Sequence, residues 1–311
     1  MRLRDELVTV LAGEQSWSGT LPAVTPTVGP AELLTDPGLE VWDSATVPHA
    51  PWATNVVPTS SVNREDVVFH GGVHAARCDI DATAHIANLS QQVTRPAGSW
   101  LQFSVWARAN ADTPGFSINT SLQAGAALTL STTYTQYVQM YKFGAANEAL
   151  TLVRGAGSTS HFLYFDDVSA QQLTQSTLYT TRVMQFVNGI FTCQPVRALG
   201  TQAGIIHYAD ANNLVIVTLD GAGNIKVDKL VGGTWQANVS TNAKAYGVSQ
   251  VLSVQRSGAG ATALYTVKYN GAPVGAANSI TDTVFDTAKR WGVFSTYAPN
   301  TFGTCTWAGP H

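Results

Sequence analysis

The stretch His161-Phe-Leu-Tyr-Phe-Asp-Asp-Val-Ser-Ala-Gln-Gln-Leu173 narrows what this chain can fold into. Aromatic and branched residues run into two adjacent carboxylates and out again, the pattern of a half-buried strand that carries charge. Neighbouring strand residues point to opposite faces, so Asp166 and Asp167 cannot both face water unless the strand lies at an edge. One of the two is expected to meet a cation.

The rest of the chain repeats the strand pattern in short blocks. Alternating segments from Val67-Val68-Phe69 to Leu150–Arg154 are separated by turns at Gly71-Gly72, Pro96-Ala97-Gly98 and Pro114-Gly115, the spacing of an antiparallel sandwich over residues 32–173. After a short polar joint the alternation resumes over 177–311, with hairpin turns at Asp220–Asn224 and at Asn270-Gly271. A length of 311 residues accommodates two such domains. The expected fold is all-β, with two antiparallel β-sandwich (jelly-roll) domains in tandem behind an N-terminal arm over 1–31.

Within that arm, Leu3, Leu7, Val10 and Leu11 fall on one face of a short helix. A helix of about ten residues does not persist alone in water, so it either packs back on its own domain or anchors the chain to a larger assembly. Pro22, Pro26 and Pro30 keep the following connector extended. No secretory signal is read at the start. Charged residues are only 12% of the chain and the formal net charge is −3, with no basic cluster beyond Arg2 and Arg4. Nucleic acid is not an expected partner. No apolar run approaches the roughly 20 residues of a membrane span.

Several pieces carry a resemblance over 32–173: Pro37-Gly-Leu-Glu40, Gly71-Gly72 followed by Ala75-Ala76-Arg77, Leu89-Ser-Gln-Gln-Val93, the run from Pro96 to Arg108, and the closing Asp166-Asp167-Val168. In that order they resemble carbohydrate-binding modules of the family 4, 9 and 22 type. The resemblance implies a structural calcium held by Glu40 and Asp166, with a backbone carbonyl near Gly72. The alternative is that both carboxylates pair with Arg77 or with backbone amides. The second half resembles laminin-G-like or concanavalin-A-like jelly rolls through Asp210–Asp220, Val227–Trp235, Val267–Gly275 and Trp291–Tyr297. Such domains serve as lectins, adhesion modules, spacers or glycosidases, and fold alone does not choose.

Glycan binding needs aromatic faces with polar partners on one exposed sheet. Period-two alternation puts Leu101, Phe103, Val105 and Ala107 on one face and Gln102, Ser104, Trp106 and Arg108 on the other. Trp106 and Arg108 are expected at a glycan site, joined by Tyr137 and Tyr141, which alternate with Val138 and Met140.

Catalysis has little to work with. A glycosidase needs two carboxylates across one cleft, and after Glu148 the chain has no glutamate. Asp210, Asp220, Asp228, Asp282 and Asp286 all fall near turns or strand ends. No nucleophile elbow, zinc motif or phosphate loop is present. His70 and His74 flank a Gly-Gly turn and read as solvated loop residues. Cys78, Cys193 and Cys305 have no metal spacing, although Cys193 and Cys305 could meet on neighbouring strands.

These features lead to the expectation of a non-catalytic adhesion or decoration protein of a tailed-phage virion. Its N-terminal arm would dock on other virion proteins in a multicopy assembly, and its sandwiches would meet cell-surface polysaccharide. A free carbohydrate-binding protein and a polysaccharide hydrolase or lyase are the alternatives.

Overall fold

The computed structural model describes residues 16–57, 60–80, 87–111, 115–125, 127–154, 161–174, 177–198 and 200–310. Among them the regular elements are β-strands and two short 3₁₀ turns, at Gly260–Thr262 and Thr283–Asp286. The expected anchor residues Leu3, Leu7, Val10 and Leu11 lie outside the described residues. The chain divides into two compact units: Val28–Leu173, and Thr174 onward together with the segment up to Thr27.

The first unit is an antiparallel sandwich. One sheet orders its strands Leu128–Thr129, Gly115–Thr120, Glu148–Arg154, Ala87–Val93, Ala53–Val56. The other runs Thr135–Lys142, Trp100–Ala109, Leu163–Leu173, Ala75–Asp79, Ser61–Glu65, and Val28–Glu32 also pairs with Leu163–Leu173. The alternation of Trp100–Ala109 sorts its side chains as expected. Leu101, Phe103, Val105 and Ala107 enter a core shared with Leu89, Phe116, Ile118, Leu150, Leu152, Leu163 and Phe165. Gln102, Ser104, Trp106 and Arg108 are left on the outer face.

The second unit pairs a sheet containing Gly189–Cys193, Leu252–Ser257, Leu264–Tyr269 and Cys305–Ala308 with a sheet built on Tyr179–Val183, Arg290–Ser295, Ala203–Asp210, Asn213–Leu219, Asn224–Val231 and Thr234–Ala243. Both expected hairpins form. Asp220 accepts the amides of Ala222 and Asn224 at 2.9 and 2.8 Å to fix one turn. Asn270 and Gly271 take φ of +50° and +80° to make the other, the double left-handed geometry that such two-residue turns require. Cys193 and Cys305 stand on adjacent strands as buried, free thiols.

The connector, expected to be extended, puts that backbone to use: Ser16–Gly19 pairs with Cys305–Ala308 as an edge strand of the second sandwich. Trp17 and Leu21 pack against that core and Val24 is buried within it. The prolines exclude helix, but the apolar area of these three side chains, at about 25 cal/mol per Å² removed from water, favours the sheet edge over an extended arm.

A buried polar chain crosses the second core. His207 is 1% exposed and its ring stacks on Trp291 at a centroid distance of 4.3 Å. Its Nε2 donates to the Ala288 carbonyl at 2.8 Å, since a carbonyl can only accept, so Nδ1 accepts the Tyr265 hydroxyl at 2.6 Å. Arg256, equally buried, lies over the Tyr265 ring and bonds Asp286 at 2.6 Å.

Burial brings the His207 pKa down from 6.5 to about 3, with the Arg256 charge adding to the effect. Protonation therefore favours the unfolded chain. The stability this residue supplies is complete above about pH 6.5 and is lost on acidification at about 1.4 kcal/mol per pH unit until the folded pKa is reached. Denaturant unfolding of the second sandwich followed from pH 7.5 to 4 should show that slope, and His207→Gln should be less stable at pH 7.5 but flatter in pH.

Candidate functional site

The loop between Ser61–Glu65 and Ala75–Asp79 is held by carboxylates. Glu65 accepts the amides of Val67 and Val68 at 3.0 and 3.2 Å. Asp166 accepts His70 and Gly71 at 2.6 and 3.0 Å. Glu40 accepts Val73 and His74 at 3.0 and 3.2 Å. Val67-Val68-Phe69, expected as a strand, is therefore a loop: side-chain oxygens take the hydrogen bonds that a neighbouring strand would have supplied.

The double carboxylate divides its work by a bulge. The pairing of Leu163–Leu173 with Trp100–Ala109 slips between Asp166 and Ser169, where Asp167 takes a φ of +42° and Val168 turns its amide to the Pro37 carbonyl at 2.7 Å. Asp166 is fully buried, and burial pushes its pKa up against the opposing pull of the Gly71, His70 and Asp167 amides. Of the partners considered for Asp166, the backbone amides are in place. Asp167 stays partly exposed and meets the His70 Nδ1 at 2.6 Å.

Glu40 and Asp166 thus reach the same loop, as the calcium expectation requires. Calcium takes six to eight oxygens. Among the described residues no group of three or more His, Cys, Asp and Glu side chains could hold a metal ion. An ion here would draw its remaining oxygens from backbone carbonyls and displace amides that the two carboxylates now accept. Arg77, the other partner considered for them, is engaged instead by Glu65 at 3.2 Å and Asp79 at 3.1 Å.

The loop lies against the outer face of the sheet. His70 stacks on the Trp106 indole with centroids 3.9 Å apart and planes 12° from parallel, and Tyr134 meets the His70 ring edge-on at 5.6 Å. Tyr134 also donates its hydroxyl to the Val68 carbonyl at 3.1 Å. Beside this cluster runs a cross-strand row of Arg108, Tyr164, Arg77 and Asn63, set by strand register. The Arg108 guanidinium lies 5.9 Å from the Tyr134 ring centroid and 5.7 Å from that of Tyr164, and Arg77 lies 5.3 Å from that of Phe162. The result is a surface of cations seated on aromatic rings.

Of the expected glycan residues, Trp106 and Arg108 share this face and the two tyrosines do not. Tyr141 is buried in the core, donating to the Ile118 carbonyl. Tyr137 packs edge-on against Phe116 at 5.1 Å and donates to the Thr129 carbonyl at 3.0 Å. Their register partners are Val105 for Tyr137 and Leu101 for Tyr141, which are core residues. His70, Tyr134, Tyr164, Phe162 and Arg77 were missed. Phe162 and Tyr164 left a signal, standing four and two residues before Asp166 in the same stretch, and His70 and Arg77 flank the Gly71-Gly72 turn.

In the second sandwich the aspartates hold structure. Asp210 accepts the Asn212 amide at 2.8 Å, and Asp228 accepts the Asn238 amide at 2.6 Å. Asp220 fixes a hairpin turn, Asp282 pairs with Lys229, and Asp286 pairs with the buried Arg256.

The carboxylate-held loop can be tested at its glycine. Gly72 has a φ of +64° and a methyl there would overlap the Glu40 carboxylate. Gly72→Ala should cost about 1–3 kcal/mol and lower the melting temperature of the first sandwich. Gly115→Ala, where an added methyl meets nothing within 4 Å, should leave it unchanged.

No family model matches the sequence, and no curated protein matches it. Among solved structures the chain is similar to TmCBM61 in complex with β-1,4-galactotriose, at 15% identity and a TM-score of 0.36, over 46% of this chain and 99% of that one. It is similar to the enzymatically active domain of tailspike protein 4 of bacteriophage CBA120, at 15% identity and a TM-score of 0.35, over 45% of this chain and 21% of that one. It is also similar to the CBM22-1–CBM22-2 tandem of Xyn10C from Paenibacillus barcinonensis, at 9% identity and a TM-score of 0.34, over 93% of this chain and 99% of that one.

Proposed function

We propose that this chain is a non-catalytic glycan-binding protein whose first sandwich meets polysaccharide on its outer sheet face. The observation that carries the reading is the juxtaposition of Trp106 and Arg108 on one open sheet, with Tyr134, Tyr164, Phe162 and Arg77 around them. Rings that offer an apolar face and guanidinium groups that offer several donors are the two contacts a sugar needs, and here they come from adjacent strands with fixed spacing. His70 already covers one face of Trp106, so a sugar would use the open rim of the indole or displace the loop histidine. The second sandwich, with its aspartates committed to turns and buried cations, serves as a rigid companion domain.

In this proposal the protein works as an adhesion or decoration component of a tailed-phage particle, present in several copies and directed at cell-surface polysaccharide. The amphipathic pattern of Leu3, Leu7, Val10 and Leu11 supports attachment through the N-terminus. A calcium at Glu40 and Asp166 would brace the loop beneath the binding face without entering the contact itself.

Affinity electrophoresis through a panel of bacterial and plant polysaccharides tests the binding reading. Wild-type protein should be retarded by at least one polymer, and Trp106→Ala should weaken that interaction about tenfold or more, the loss expected for about 1.4 kcal/mol or more. Tyr141→Phe should bind as wild type, because the Tyr141 ring is in the core. Retardation by no polymer, or equal retardation of the Trp106 variant, would refute the reading. For the ion, melting with calcium and with a chelator should differ by several degrees, and Glu40→Gln should abolish the difference; identical curves would remove calcium from the account.

A further inference from the structure

We propose that the outer face of the first sandwich selects glycans bearing a carboxylate, with the Arg108 guanidinium as the receptor for that group; this rests on the glycan-binding reading of the same face. Around Trp106 the charged groups are almost all committed to partners. Arg77 is taken by Glu65 and Asp79, and Asp79 also accepts Asn63 at 3.1 Å. Glu65 and Asp166 are committed to loop amides, and Asp167 to His70. Arg108 has no ion-pair partner among the described residues. Its hydrogen bond within the protein is a long one, from Nε to the Ala109 carbonyl at 3.4 Å.

What Arg108 does have is aromatic neighbours. Tyr134 and Tyr164 lie at 5.9 and 5.7 Å from its guanidinium carbon, and the Tyr134 hydroxyl is tied to the loop. Two rings hold the guanidinium and leave its Nη1 and Nη2 donors without a protein acceptor among the described residues. A held guanidinium with a free edge matches the two oxygens of a carboxylate in parallel hydrogen bonds, and such charge-assisted bonds are about twice as strong as those to neutral hydroxyls. In a chain with only 12% charged residues, one uncommitted cation beside Trp106 is a specific feature. Ordering lost on binding is small because the side chain is already placed. The ligand class is a polysaccharide with uronate or other carboxylated sugar units.

The test uses the full chain with polygalacturonate, alginate and hyaluronate, each polymer before and after carboxyl reduction, together with neutral polysaccharides, dextran sulfate and polyglutamate. At least one uronate polymer should bind, and its carboxyl-reduced form should bind at least tenfold more weakly. Arg108→Lys, which keeps the charge and loses the planar fork, should weaken uronate binding about tenfold, and Arg108→Gln should weaken it further. Both variants should melt within about two degrees of wild type, and any loss of binding to a neutral polymer should be smaller than the loss of uronate binding. Equal binding of native and reduced polymers, equal binding of dextran sulfate or polyglutamate, or uronate binding unaffected by Arg108→Gln would overturn the proposal. Binding of neutral polymers alone, dependent on Trp106, would sink the carboxylate inference and leave the glycan reading standing. If no polysaccharide binds, both fall.

Discussion

Hydrogen bonds from backbone amides to three carboxylates set the candidate face. Glu40, Glu65 and Asp166 come from separate parts of the first sandwich, and each takes two amides of the loop that follows Glu65. A nine-residue connection rich in valine and glycine would otherwise leave its amides to water. Held this way, the loop carries His70 onto Trp106 and gives Tyr134 a carbonyl to bond. Asp166 is the most costly member, a fully buried carboxylate whose ionisation is opposed by burial and supported only by amides. That cost explains why two acids stand side by side in an apolar strand. The bulge lets one hold the loop from inside the sheet while the other meets a histidine at its surface.

Much of the fold was legible in the sequence because alternation is a local signal. The strand Trp100–Ala109 could be sorted into two faces from its residues alone, and the Asp220–Asn224 and Asn270-Gly271 turns declare themselves through glycine and asparagine. Alternation does not say which face is inward. Tyr137 and Tyr141 were grouped with Trp106 on aromatic character, but register sets them beside Val105 and Leu101, so they point into the core. The row of Arg108, Tyr164 and Arg77 is invisible for the same reason, since three strands distant in sequence must be aligned before it exists. Val67-Val68-Phe69 reads as a strand by propensity, yet acceptors as remote as Asp166 claim the neighbouring amides of His70 and Gly71. The segment from Ser16 to Val24 illustrates a further limit: its prolines foretell an extended backbone, and only the partner strand Cys305–Ala308 shows where that backbone is used.

The two sandwiches spend their polar groups differently. In the second, the buried His207, Tyr265 and Arg256 form a linked polar chain that ends on the partly exposed Asp286, and the aspartates fix turns or neutralise cations. Such networks specify one packing and leave little free chemistry. The first also buries Arg154 and Glu148, but it draws Arg77 and Arg108 to an outer face, where both lie over aromatic rings and Arg108 has no ion-pair partner among the described residues. In the proposed function this asymmetry assigns recognition to the first sandwich and a scaffolding role to the second.

The most direct test of that division is a hydrogen-exchange footprint of the full chain with and without a polysaccharide that binds it. The account predicts slowed exchange confined to the loop after Glu65 and to the strands Trp100–Ala109, Leu163–Leu173 and Ala75–Asp79. Protection confined to the second sandwich, with the first unchanged, would contradict it.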